Sequence, residues 1–397
     1  MIDVMFTGMR IWSPSVLTRK DVEKDANTGE EDIQLTVVDG KYESRDKTRI
    51  MMMCPHPSTP TVYVGKENGE VIAFNATTGI STILYSHSHA LKKLAVSRND
   101  MIACADNLNG VVLIWELSPV KATGSNDSHP LIRIYTRASV KQLLFSADGK
   151  YLLMATVESD NVYLVKDGSC IGTLDFRPKE REKWKWLLPP RRGQGEQGFW
   201  LLSDGIIKSF SAESFPSLST SILPELHLEY TPDAAWRTSD YETATVDPSS
   251  AVMALEVHHD SIFGSASMTF LYDLEQVNLL LQSSSTPPLA SSDPITLEPM
   301  ITVLQERCKH FLGFSERSNS IVFLNKDSWV SSIPLSNLTE MRYTQHFFVP
   351  ADHLPRYWSD KDLPPVKTAD DGVVFFSRGE LVCVRDGLRF SSTKTVE

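Results

Sequence analysis

Val140-Lys141-Gln142-Leu143-Leu144-Phe145-Ser146, a turn at Ala147-Asp148-Gly149-Lys150, and Tyr151-Leu152-Leu153-Met154-Ala155-Thr156 form the stretch that decides the fold. The first run alternates apolar and polar in part, as a strand does. The second is continuously apolar, the pattern of a strand covered on both faces. Asn161-Val162-Tyr163-Leu164-Val165 follows, then a turn at Asp167-Gly168 and a last strand from Ser169 to Phe176. Together they read as one antiparallel unit of four short strands.

The same grammar extends in both directions. Upstream, residues 91–97, 101–105, 110–117 and 131–135 make a unit with its first turn at Arg98-Asn99-Asp100, and residues 50–55, 61–65, 69–75 and 80–86 make another. Downstream, residues 183–188, 199–203, 206–210 and 218–223 supply a fourth unit, and residues 243–246, 251–257 and 268–274 a fifth. Residues 301–304, 310–314, 320–324 and 329–335 supply a sixth, and residues 346–350, 373–376 and 380–384 only three strands of a seventh. Helical periodicity is nearly absent. Units that recur at roughly 40–45 residues are the signature of propeller blades, so the expected fold is all-β, a β-propeller of about seven four-stranded blades.

A ring of blades needs closing, because an open sheet edge invites aggregation. The strand Ile33-Gln34-Leu35-Thr36-Val37-Val38 is left over before the first full unit and is expected to pair with the C-terminal blade. The domain division that follows is residues 1–31 as an N-terminal remnant or linker, 32–390 as the propeller and 391–397 as a disordered tail. Ser283 to Pro294, rich in Ser and Pro, reads as a linker between the fifth and sixth units.

Charge and composition exclude several classes of function. The chain has 397 residues and a formal net charge of -11, which repels phosphate backbones and anionic lipid, so neither nucleic acid nor membrane is an expected partner. No run reaches the roughly 18 apolar residues that span a bilayer. The first residues lack the basic start of a secretory signal, and a cytoplasmic location is expected. Five scattered cysteines with no CxxC pair suit a reducing compartment, and Cys54, Cys104 and Cys383 lie in apolar runs as small core residues.

Catalytic patterns do not appear. There is no G-x-S-x-G elbow, no H-E-x-x-H and no phosphate loop of the form G-x-x-x-x-G-K-[ST]. The close histidine pairs, His87/His89 and His258/His259, read as polar loop residues, so no metal and no cofactor is expected. Trp184, Trp186 and Leu188 alternate along a strand and read as blade core rather than as a base-stacking platform. Function is then expected in the loops at the mouths of the ring. The partner-binding candidates are Arg98, the Arg191-Arg192 loop, His258 and His259, and above all Trp236-Arg237 in the long insert 224–241, since Trp and Arg dominate binding hot spots.

Family resemblance adds to this reading. Gly110 to Trp115-Glu116 resembles the Trp-Asp ending of a WD repeat, with Glu in place of Asp. Ser320-Ile321-Val322-Phe323-Leu324-Asn325-Lys326-Asp327-Ser328-Trp329-Val330-Ser331-Ser332-Ile333, with His346-Phe347-Phe348-Val349-Pro350-Ala351-Asp352, resembles the C-terminal end of the WD-repeat propellers of fungal NACHT-type, NOD-like receptors. Residues 373–376 and 380–388 are similar to that family's closing strands, and residues 8–17 to the last strand of a blade preceding the propeller. The resemblance implies a non-catalytic sensor, scaffold or protein-binding module. Its partner would be a protein or other macromolecule, including an NTPase-bearing receptor chain, because this chain has no phosphate loop of its own. The competing classes are a propeller enzyme of metal-dependent hydrolase or lactonase type and a decayed receptor fragment. Closure by an N-terminal strand carries a test: removing residues through Val38 lowers the melting temperature markedly.

Overall fold

A strand with two apolar faces needs a neighbour on each side, and this requirement organises the whole chain. The computed structural model describes residues 2–5, 8–11, 39–40, 48–106, 110–117, 129–175, 184–189, 198–203, 205–213, 215, 225–229, 241–246, 252–261, 264–283, 295–300, 308–338, 343–349, 354, 365–377, 380–384 and 388. Within them the strands form seven sheets. β1 (Ile2–Met5), β2 (Gly8–Ile11) and β3 (Asp39–Gly40) come first. The first sheet is β4 (Ile50–Pro55), β5 (Thr61–Lys66), β6 (Glu70–Asn75) and β7 (Ser81–Ser86). The second is β8 (Leu91–Val96), β9 (Met101–Asp106), β10 (Val111–Glu116) and β11 (Ile132–Tyr135). The third is β12 (Val140–Phe145), β13 (Tyr151–Thr156), β14 (Ser159–Leu164) and β15 (Cys170–Asp175).

The later sheets are less regular. β16 (Lys185–Leu187), β17 (Gly198–Ser203), β18 (Ile206–Ser211) and β19 (Glu225–Leu228) make the fourth. The fifth has three strands, β20 (Tyr241–Val246), β21 (Val252–Ser261) and β22 (Gly264–Asp273), followed by helix α1 (Leu274–Ser283). β23 (Ile295–Leu297) then returns to pair in parallel with β19. The sixth is β24 (Cys308–Ser315), β25 (Ser320–Asn325), β26 (Trp329–Pro334) and β27 (Thr344–Phe348). The seventh joins both ends of the chain in the order β28 (Val366–Lys367), β29 (Val373–Ser377), β30 (Glu380–Val384), β1, β2, β3.

The ring is visible in how side chains divide. β13 is buried from its second residue onward, as its apolar run predicts. Leu152 and Met154 face the second sheet, while Leu153 and Ala155 face the fourth. Alternation by two sends neighbouring residues to opposite interfaces. Val62 and Val64 likewise meet Val374 and Cys383 of the seventh sheet, while Tyr63 packs toward Ile102 and Trp115 of the second. Each successive pair of sheets shares one such apolar cluster, and the last pair closes the circle. The first strands pack side by side, β4 on β8, β8 on β12 and β28 on β4, which marks them as the inner strands.

Polar groups tie the sheets at the same interfaces. Gln142 grips the Trp186 backbone from the third sheet, its amide donating to the carbonyl at 2.7 Å and its oxygen accepting the N–H at 3.0 Å. The Trp186 Nε1–H also donates to the buried Asp160 carboxylate at 2.7 Å. Trp184 and Leu188 pack against the same cluster as Trp186, so this segment is core. Glu256 and His310 pair at 3.0 Å between the fifth and sixth sheets, and Ser315 donates to Asp371 at 2.9 Å between the sixth and seventh.

Several expectations need correcting. Residues 344–348 complete the sixth sheet and are not the first strand of the seventh, whose first, inner place goes to Val366–Lys367. Part of the supposed insert 224–241 is β19, the fourth strand of its sheet; residues 218–223 and 301–304 lie outside the described residues. The hairpin of β21 and β22 runs on through Ser261, so His258 and His259 occupy paired strand positions and not a loop. Helix α1 was not foreseen, although its signals are present: Asp273 Oδ1 accepts the N–H groups of Glu275 and Gln276, and Leu274, Val277 and Leu281 fall on one stripe. That stripe packs on β19 of the fourth sheet and on β21 of the fifth, which has three strands among the described residues.

Closure also differs in its details. The strand beside β30 is β1, with Ile2 opposite Cys383 and Asp3 opposite Val382. Residues 33–38 lie outside the described residues, and Gly8–Ile11 pairs with β1 instead of ending a preceding blade. Removal of residues 1–12 alone is therefore expected to give most of the loss in melting temperature caused by removal through Val38. For the third interface, Trp186→Phe keeps the ring but withdraws a donor from a buried carboxylate, and is expected to cost about 2 kcal/mol in urea unfolding.

Candidate functional site

The turns of adjacent sheets meet edge to edge on one face of the ring. In each of the first three sheets the turn between its first two strands is held by a polar side chain that accepts backbone N–H groups. His56 Nδ1 accepts from Ser58 at 3.2 Å and Thr59 at 3.1 Å. Ser97 Oγ accepts from Asn99 and Met101, and Ser146 Oγ from Tyr151. Asp100 has φ +55° where the third sheet has Gly149 at +72°, which is the same left-handed turn built with a different residue. His56 Nε2 reaches Asp100 at 3.1 Å, and Asn99 Nδ2 donates to the Asp148 carbonyl at 2.6 Å. Thr77 Oγ1 donates to Asp370 at 3.1 Å, which carries the chain of contacts back to the seventh sheet.

Arg98 sits exposed in the middle of this clamped row. The turn therefore presents it from a rigid base, as a recognition side chain requires. His258 stands opposite Ser267 and His259 opposite Ala266 in the long hairpin. Trp236, Arg237, Arg191 and Arg192 lie outside the described residues. Arg98 and the His258/His259 pair are not brought together: one lies in the second sheet, the others in the fifth.

Sequence reasoning missed a second feature, the outer strands. Ile83 and Tyr135 are 53% and 70% exposed on β7 and β11, and Ile171 is exposed on β15. Ile80 and Leu131, just outside those strands, are exposed as well. The outermost strands of three successive sheets thus present apolar side chains to solvent. The signal was available as apolar residues on strands at the end of each unit, but only the topology shows that these strands lie at the rim.

The cysteines offer no nucleophile in the core. Burial pushes the Cys54 and Cys104 thiols up to about 12, and the Cys308 thiol is raised too, so all three stay protonated. Cys104 instead shares a hydrogen bond with Tyr85, whose ring stacks on Trp115 at 4.1 Å.

The arrangement is that of a WD40-like β-propeller. Among the solved structures that match it is the β-propeller domain of Cps50 (Swd1) from Myceliophteria thermophila, with a TM-score of 0.51 and 12% identity, covering 84% of this chain and 95% of that one. No protein-family model and no curated protein matches the sequence. The likeness is one of fold.

Two histidines make stability depend on pH. Burial foremost lowers the pKa of His56 and of His87, with Asp100 and Asp106 respectively pulling the other way. For His56 the geometry gives the reason: Nδ1 accepts two backbone N–H groups, and protonating it would break both. A histidine whose folded pKa lies below the unfolded value near 6.5 binds its proton first in the unfolded chain. Stability is therefore full above that value and is lost as pH falls below it. Urea midpoints are expected to drop between about pH 7.5 and 5.5, with a shallower slope in His56→Asn.

Proposed function

We propose that this chain is a non-catalytic WD40-type propeller that recognises a protein partner and serves as a scaffold or sensing module. The observation that carries this reading is the row of exposed apolar side chains on the outer strands, Ile83, Tyr135 and Ile171, with Ile80 and Leu131 beside them. Exposed apolar side chains of this size gain most by burial against another protein. A rigid ring with clamped turns suits recognition, because little conformational entropy is lost when it binds. Fold alone does not specify function, and the site has to carry the argument.

The finer reading rests on sequence. The segments 320–333 and 346–352 support a sensor-end role like that of a NOD-like receptor, acting in the cytoplasm on a separate NTPase-bearing chain. The acidic net charge of -11 supports a protein over a nucleic acid as the partner. Mouth-loop residues Arg98, Arg191, Arg192, Trp236 and Arg237, with His258 and His259, are the candidates for specificity.

Affinity capture with the intact chain tests the two surfaces separately. One variant carries Ile83→Ser and Tyr135→Ser, the other Trp236→Ala and Arg237→Ala. A partner bound directly by the wild type and lost from either variant, at unchanged melting temperature, is the expected result. Equal capture by both variants would remove rim and insert alike from the interface.

A further inference from the structure

The link between the first and second sheets brings together three side chains that the sequence keeps apart. His87 and His89 lie between β7 and β8, and Asp106 ends β9 directly opposite Leu91 in the ladder. One ligand atom from each residue lies within 4.8 Å of the others. His87 is 5% exposed and Asp106 2%, while His89 is half-buried. His87 carries the decisive observation: both of its ring nitrogens are buried and neither makes a hydrogen bond of good geometry, with only the Val111 backbone near enough to act on the ring. An imidazole held in that state costs free energy unless something fills the gap.

The backbone around the cluster is held in place. The His87 N–H donates to the Gly69 carbonyl at 2.8 Å. Gly69 has φ +85°, and a Cβ there would stand 2.2 Å from the His87 carbonyl oxygen and 2.8 Å from that of His89. Only glycine lets the link lie this close. Asp106 Oδ1 accepts the Val111 N–H at 3.4 Å, and its Oδ2 lies 3.8 Å from His89 Nδ1. That separation is too long for a hydrogen bond. It is close to the spacing of roughly 3.4 Å between two ligands held about 2.1 Å from a tetrahedral metal. Ser88 Oγ stands 2.8 Å from the same His89 Nδ1, and its hydroxyl turns away when that nitrogen ligates.

We propose that His87, His89 and Asp106 form a three-ligand site for a divalent transition metal, with zinc as the best match, that clasps the first sheet to the second. Two imidazoles and one carboxylate suit zinc or cobalt, whereas calcium and magnesium prefer oxygen ligands alone. Both imidazoles ligate in their neutral form, so metal binding at this site weakens as the pH falls.

Tag-free protein stripped with a chelator and titrated with Co2+ and Zn2+ provides the test. The expected result is one Co2+ per chain, a tetrahedral ligand-field spectrum, displacement by Zn2+ and a dissociation constant below about 10 μM. His89→Gln, at the most exposed ligand, keeps the fold intact and is expected to weaken binding by at least about 100-fold, as is Asp106→Asn. Excess Zn2+ raises the melting temperature of the wild type but not of His89→Gln. Wild-type binding weaker than about 10 μM, or unchanged affinity in His89→Gln, would overturn the site.

Discussion

In each described sheet the second strand is covered on both sides, and that one constraint accounts for the architecture. A sheet with a single wet face can pack against one neighbour and stop. β13, with Leu152 and Met154 on one side and Leu153 and Ala155 on the other, cannot. Nor can β25, where Phe323 faces the fifth sheet and Val322 and Leu324 face the seventh. A flat stack of such sheets would always leave two apolar faces exposed at its ends. A closed ring leaves none, which is why the seventh sheet has to be made from both ends of the chain.

Ring closure also explains where polar side chains are placed. Each interface is mostly apolar and therefore has little directional preference. Hydrogen bonds such as Gln142 to Trp186, Glu256 to His310 and Ser315 to Asp371 supply register, because each leaves a buried polar group unpaired if the sheets slip. Between the turns, His56 with Asp100 and Asn99 with Asp148 lock neighbouring sheets to each other. Arg98 inherits its rigidity from this arrangement, and the His87/His89/Asp106 cluster on the link between sheets is another product of it.

The irregular sheets follow the same rule by other means. The fifth sheet has only three strands among the described residues, and helix α1 packs Leu274, Val277 and Leu281 into the cluster it shares with the fourth. β23 adds to the fourth sheet in parallel, far along the chain from its partner β19. What the ring requires at each position is a covered apolar face; the element that covers it is free to vary.

Period, turn chemistry and the doubly apolar runs were enough to read the propeller, its all-β class and the first three sheets almost strand for strand, because these are local properties repeated many times. Where repetition weakens, the reading slips: residues 346–350 belong one sheet earlier than their pattern suggests and α1 hides beside a strand, while closure by an N-terminal strand holds, with β1 beside β30. Pairing of β1 with β30 and of β19 with β23 depends on where distant segments end up, and short apolar runs do not name their partners. The cluster of His87, His89 and Asp106 was beyond the sequence for the same reason. The histidine pair was plain to see, but only the antiparallel ladder, which sets Asp106 opposite Leu91, brings the carboxylate to it.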